Sequence, residues 1–87
     1  MSKAIGIIET RGYVAALRAV DIMLKMAYVE IVKQEQIGSG LVSIIIEGDI
    51  SSVKEALEYG AQAAQSTGEL IAVHSISKPF INLKGML

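Results

Sequence analysis

At 87 residues the chain has material for one domain, and a domain of this size buries only roughly 60–65% of its unfolded surface. Its net charge is −1, and it carries three Tyr, one Phe and no Trp, which excludes a basic nucleic-acid footprint and a base-stacking platform. There is no cysteine, which excludes disulfides, thiolate metal sites and a cysteine nucleophile and fits a reducing cytoplasm.

In chain order, Ala4 to Glu9 is a short apolar run and reads as a buried strand. Thr10-Arg11-Gly12 turns into a helix from Tyr13 to Ala27, with Thr10 as its expected N-cap. Val14, Leu17, Val20, Leu24 and Ala27 recur at three- and four-residue spacing and form the expected core stripe. Ala15, Ala19, Ile22 and Met26 make much of the remaining helix surface apolar as well, which predicts cover on two sides.

Val29 to Ile37 reads as a strand that turns polar at Lys33 to Gln36. After Gly38-Ser39-Gly40, Leu41 to Glu47 is a strongly β-branched strand. Gly48-Asp49 enters a second helix, where Asp49 can cap and Ser52 with Glu55 has capping-box spacing. Its apolar stripe is Ile50, Val53, Leu57, Ala61 and Ala64, and Gly68 is the expected stop. Leu70 to Ser77 is the last strand; Pro79 ends regular structure and opens a tail.

The order β-α-β-β-α-β, with two right-handed βαβ units, predicts an α+β ferredoxin-like sandwich: an antiparallel sheet with both helices on one face and a short C-terminal tail. The expected domain spans residues 3–80 and the tail 81–87. The acidic Glu9 comes too early for a signal peptide, and no apolar run nears the ~20 residues that span a bilayer. With 52% hydrophobic residues, only 20% charged and a mean hydropathy of +0.48, the chain has more apolar surface than one small core absorbs. An obligate oligomer follows as the expectation.

A search for chemistry returns little. His74 sits inside the last strand without a Ser, Asp or Cys placed to pair with it, and reads as a core or supporting histidine rather than a catalytic one. One His among scattered carboxylates does not make a metal site. Gly38-Ser39-Gly40 lacks the Lys-Ser/Thr ending of a phosphate-binding loop and enters no helix. Taken singly, Lys25 is a cation favouring a helix C-terminus, Lys78 a solvated charge, and Met23 and Met26 ordinary packing residues. No catalytic, metal or cofactor-binding residue is assigned, and the chain reads as a non-enzyme.

Several motifs nevertheless stand together. Ile8-Glu9-Thr10-Arg11-Gly12-Tyr13-Val14-Ala15-Ala16-Leu17, Asp21-Ile22-Met23-Leu24-Lys25, Ile37-Gly38-Ser39-Gly40-Leu41-Val42, Gly48-Asp49 with Val53-Lys54, and Gly68-Glu69 through Val73-His74 resemble, in order, the hexameric shell proteins of bacterial microcompartments. The resemblance runs over residues 3 to 80 and is nearer to ethanolamine- and propanediol-utilisation shells than to carboxysome shells. It implies six copies in a flat disc, discs tiled edge to edge into facets, and a shell in the cytoplasm around metabolic enzymes.

It further implies that Gly38, Ser39 and Gly40, with Ile37 and Gln36 close by, line a central pore for small polar metabolites. Lys25, Tyr28 and Lys78 would stand at the edge between hexamers. Relatives often carry Arg where Lys78 stands, and its planar fork is absent here. The implied partners are neighbouring hexamers, other shell paralogues and targeting peptides of the enclosed enzymes, with no nucleic acid and no membrane. Two other readings stand beside this one: a small ferredoxin-like regulatory oligomer binding a ligand between subunits, and a ferredoxin-like isomerase or phosphatase. The first lacks a long loop or basic nucleotide pocket, and the second lacks partners for Arg11.

Overall fold

A computed structural model describes residues 3–77. The elements are β1 (Lys3–Arg11), α1 (Tyr13–Met26), β2 (Glu30–Gln36), β3 (Leu41–Asp49), α2 (Ile50–Gln65) and β4 (Leu70–Ser77). The four strands form one sheet in the order β2-β3-β1-β4, and every neighbouring pair is antiparallel. Both helices cover the same face, as the ferredoxin-like reading requires.

Alternation along β1 sets that face. Ala4, Gly6, Ile8 and Thr10 are buried, while Ile5, Ile7 and Glu9 between them are only half-buried. Gly6 pairs with Ile46, and Ile8 with Ile44; side chains directly opposite share a face, so these belong to one helix-covered layer. A Cβ on Gly6 would meet Val53 Cγ1 at 2.9 Å and Leu57 Cδ2 at 3.0 Å, both from α2. The absence of a side chain there lets α2 lie close on the sheet.

The core stripe of α1 is not the expected one. Ala15, Ala16, Ala19 and Met23 are buried, whereas Val14 and Leu17 are 63% and 48% exposed and Leu24 is 49% exposed. Small residues win the inner side because α1 also packs against α2. There, a Cβ on Gly60 would come within 2.8 Å of Met23 Cγ and 2.7 Å of Ile8 Cδ1. An interface this close takes alanines and one flexible methionine, and turns branched bulk outward. In α2 the same rule puts Ala56 and Gly60 in the core with Val53, Leu57 and Ala64, displacing Ala61 to an intermediate position.

Helix ends also depart from expectation in part. The N-cap of α1 is Gly12, at φ 89°, with no side-chain cap; Thr10 is fully buried and donates its hydroxyl to the Gly12 carbonyl at 3.2 Å instead. Asp49 caps α2 as expected, accepting from Ser52 N at 2.9 Å and from the Ser51 hydroxyl at 2.9 Å. Ser52 is therefore the recipient of the cap rather than the start of a capping box. Gly68, at φ 77°, follows the last turn, where the Thr67 hydroxyl closes on the Ala64 carbonyl at 2.6 Å.

The cap carries a pH dependence. The Ser52 backbone N–H, and next the Ser51 hydroxyl, hold the Asp49 carboxyl below its ordinary value, against the opposing effect of desolvation. A depressed folded-state pKa means the contribution is complete above the unfolded value, about 3.9, and fades as pH falls from there through the folded value. Asp49→Ala is expected to lower the thermal midpoint at pH 7, and the gap to wild type should shrink on acidification. Melting curves of both proteins at neutral and acid pH check this.

Candidate functional site

The β2–β3 connection is built from three successive residues in the left-handed region: Gly38 at φ 90°, Ser39 at φ 55° and Gly40 at φ 77°. The glycines adopt it without penalty, whereas Ser39 is the strained member, at a cost of about 1–2 kcal/mol. The turn closes through Ile37 N–H to the Leu41 carbonyl at 2.9 Å and Leu41 N–H to the Gly38 carbonyl at 3.0 Å. Gly12 N–H donates to the Gly40 carbonyl at 2.6 Å, so the turn is tied to the start of α1. Gln36, Ile37, Gly38, Ser39 and Gly40 are all exposed.

Beside the turn lies a shallow cleft of about 160 Å³ lined by Gly12, Tyr13, Gln36, Gly38, Leu41 and Val42, with Gly40 between them. No carboxylate, histidine or lysine lines it. The turn and cleft offer the Ser39 and Tyr13 hydroxyls, the Gln36 amide and backbone polar groups, which can hydrogen-bond a small polar solute. Among the described residues no group of three or more His, Cys, Asp and Glu could hold a metal ion. No described helix is long and apolar enough to cross a membrane.

The predicted edge residues lie at the other end of the sheet. β3 leaves the turn at Leu41 and reaches Asp49 eight residues on, a rise of about 27 Å. There Tyr28, 91% exposed, shares a cleft with Lys3, Glu30, Gly48 and Asp49. Lys25 occupies the last turn of α1 and pairs with Asp21 at 3.4 Å, with both side chains 68% exposed. Lys78 lies outside the described residues. The chain thus brings Gln36 to Gly40 together at one end, holds Lys25 and Tyr28 near the opposite end, and leaves the two sets apart within a subunit.

His74 is exposed on β4, directly opposite Ile7, and not in the core as the strand pattern suggested. Cross-strand partners share a face, and Ile7 lies on the face of the sheet turned away from both helices, so His74 has no layer above it. What the reading by residue type missed are the apolar side chains left outside: Val14, Leu17 and Leu24 on α1, and half-buried Ile5, Ile7 and Ile45 on the sheet. The 52% hydrophobic content announced such a surplus without locating it.

Comparison with known proteins shows the family. The BMC domain model matches residues 4–79. The chain is similar to the bacterial microcompartment shell protein PduA of Salmonella typhimurium, at 46% identity over 85 residues, 98% of this chain and 90% of that protein. It is equally similar to the shell protein EutM of Escherichia coli, at 46% over 82 residues, 94% of this chain and 84% of that one. Against the carboxysome shell protein CcmK2 of Synechocystis the identity is 44% over 89 residues, 100% of this chain and 86% of that one, a smaller gap than the motifs suggested. A crystal structure of a microcompartment protein from Desulfitobacterium hafniense shares the fold with a TM-score of 0.80 at 22% identity, over 87% of this chain and 41% of that one.

Proposed function

We infer the role of this chain from one premise: it belongs to the BMC domain family of bacterial microcompartment shell proteins. Its role is structural, as a component of such a shell. Beyond this, we propose that six copies close into a disc, with the Gln36 to Gly40 turn of each subunit rimming a central pore. The discs tile through the end bearing Lys25, Tyr28 and Lys78 into facets of a shell standing in the cytoplasm. Other shell paralogues and the targeting peptides of enclosed enzymes complete the list of partners.

The observation that carries this reading is the separation of the two residue sets. A subunit of a tiled ring needs one end at the symmetry axis and the other at the rim. The exposed turn and the Lys25–Tyr28 end meet that need from opposite ends of the strands. At the axis, small residues keep an aperture open, and repeated hydroxyls with exposed backbone offer hydrogen bonds to a polar metabolite. Bulk at position 39 would close it.

Light scattering of the purified protein, followed by electron microscopy of the same sample, tests the reading. The expected particle is about 56 kDa, six subunits of 9.3 kDa each, with hexagonal sheets or tubes whose class averages show a central gap. A stable monomer, dimer or trimer would remove the pore and return the regulatory reading to first place.

A further inference from the structure

Where α2 begins, a hollow lies between that helix and the edge strand β4. The helix comes down onto β1 at Gly6, where an added Cβ would lie 2.9 Å from Val53 Cγ1. Ser75 stands opposite Gly6 on β4 and therefore shares the helix-covered face. It is nevertheless exposed, because its short side chain does not fill the space beside the first turns of α2. A cleft of about 330 Å³ remains, lined by Ala4, Ile50, Val53, Lys54, Ser75 and Ile76. That volume is at the small end of the roughly 300–1,000 Å³ typical of ligand pockets.

The lining is apolar at depth and carries one charge at its rim. Ala4 and Val53, 4% and 0% exposed, form the floor, and Ile50 and Ile76 add apolar wall. Lys54 is exposed and is the one charged residue of the lining. Among the described residues no carboxylate lies within 4 Å of its amine. The Ser75 hydroxyl likewise makes no hydrogen bond to a described residue.

We propose that this cleft binds a small monocarboxylate with a short hydrocarbon body. The body lies on the Ala4 and Val53 floor, and the carboxylate accepts from the Lys54 amine and the Ser75 hydroxyl. Charge selects the class. An organic cation would meet the amine as a like charge, and a wholly apolar ligand would strip water from that amine without replacing it. One cation and one hydroxyl match a single carboxylate, while a phosphate would bring nearly two charges to one amine. Lys54 and Ser75 belong neither to the turn at Gly38 to Gly40 nor to the Lys25–Tyr28 end, so the proposal stands apart from the ring reading.

Saturation-transfer NMR on the full chain tests it, with hexanoate as the probe. Acetate supplies the head without the body, and hexylamine the body with the opposite charge. Hexanoate is expected to bind with a dissociation constant on the order of 1 mM, and both controls far more weakly. Lys54→Gln should weaken hexanoate by about threefold or more, Lys54→Arg should retain it, and Ser75→Leu should abolish it by filling the cleft. Both positions are exposed, and melting curves confirm that each variant is folded. Hexylamine binding as well as hexanoate, or unchanged binding in Lys54→Gln or Ser75→Leu, would overturn the proposal by showing adsorption to apolar surface elsewhere. No hexanoate signal from the wild type at about ten times the expected constant would overturn it as well. The ring is judged separately, by particle mass.

Discussion

Gly60→Leu is expected to cost about 3 kcal/mol or more and to leave a chain that melts well below the wild type. A Cβ at residue 60 already lies 2.7 Å from Ile8 Cδ1 and 2.8 Å from Met23 Cγ and Sδ, and Ile8 and Met23 are completely buried. Leucine adds three further carbons in a place with no room for the first. Overpacking of a closed core costs about 1–3 kcal/mol per modest insertion and more for large ones. Against the roughly 4–13 kcal/mol of total stability expected of a domain this size, the loss is decisive.

Gly60→Ala separates bulk from backbone. The alanine gains about 1 kcal/mol in helix propensity, while Ile8 Cδ1 and Met23 Sδ, the far ends of flexible side chains, must move aside. A net loss of about 1–2 kcal/mol is expected, smaller than that of the leucine variant by a clear margin. Urea unfolding of the three proteins at equal concentration measures both differences. Near-equal midpoints for wild type and Gly60→Leu would show that α1 and α2 are not in the close contact described.

Lys25→Ala is expected to leave the fold and the ring intact and to abolish extended sheets. Within one subunit Lys25 does little: its ion pair with Asp21 spans 3.4 Å with both side chains 68% exposed. Such pairs contribute about 0–1 kcal/mol, and alanine recovers part of that through helix propensity. The thermal midpoint should therefore hardly move. Any loss of tiling then reports a contact between rings and not damage to the subunit.

Asp21→Ala supplies the control. It breaks the same ion pair and keeps the amine, so sheets should persist if the lysine itself makes the edge contact. Electron microscopy of both variants beside the wild type, with light scattering to confirm the ring, decides the matter. Unchanged sheets in Lys25→Ala would remove this residue from the edge.

Much of the architecture is legible from residue patterns. Six elements in their order, the Asp49 cap, the stop at Gly68 and the last strand from Leu70 to Ser77 all follow from periodicity and local turn chemistry, and the structure contains them. These features depend on neighbours within a few residues, which the chain states directly. The turn at Gly38 to Gly40 is equally local, since two glycines around a serine between strands leave few other conformations. Its position at one end of the sheet, far from Lys25 and Tyr28, is not local and came only with the topology.

The sequence by itself determined the α+β class, the β-α-β-β-α-β order and, through its motifs, the family. Only the tertiary structure decided which stripe of α1 faces inward. Val14, Leu17 and Leu24 repeat with the same helical period as Ala15, Ala19 and Met23, and a period identifies a face without saying what it meets. The gap between α1 and α2 at Gly60 admits only small or flexible side chains. Close packing there therefore turned the bulkier residues of α1 outward, while His74, Ile5, Ile7 and Ile45 stay uncovered because both helices lie on the other face of the sheet.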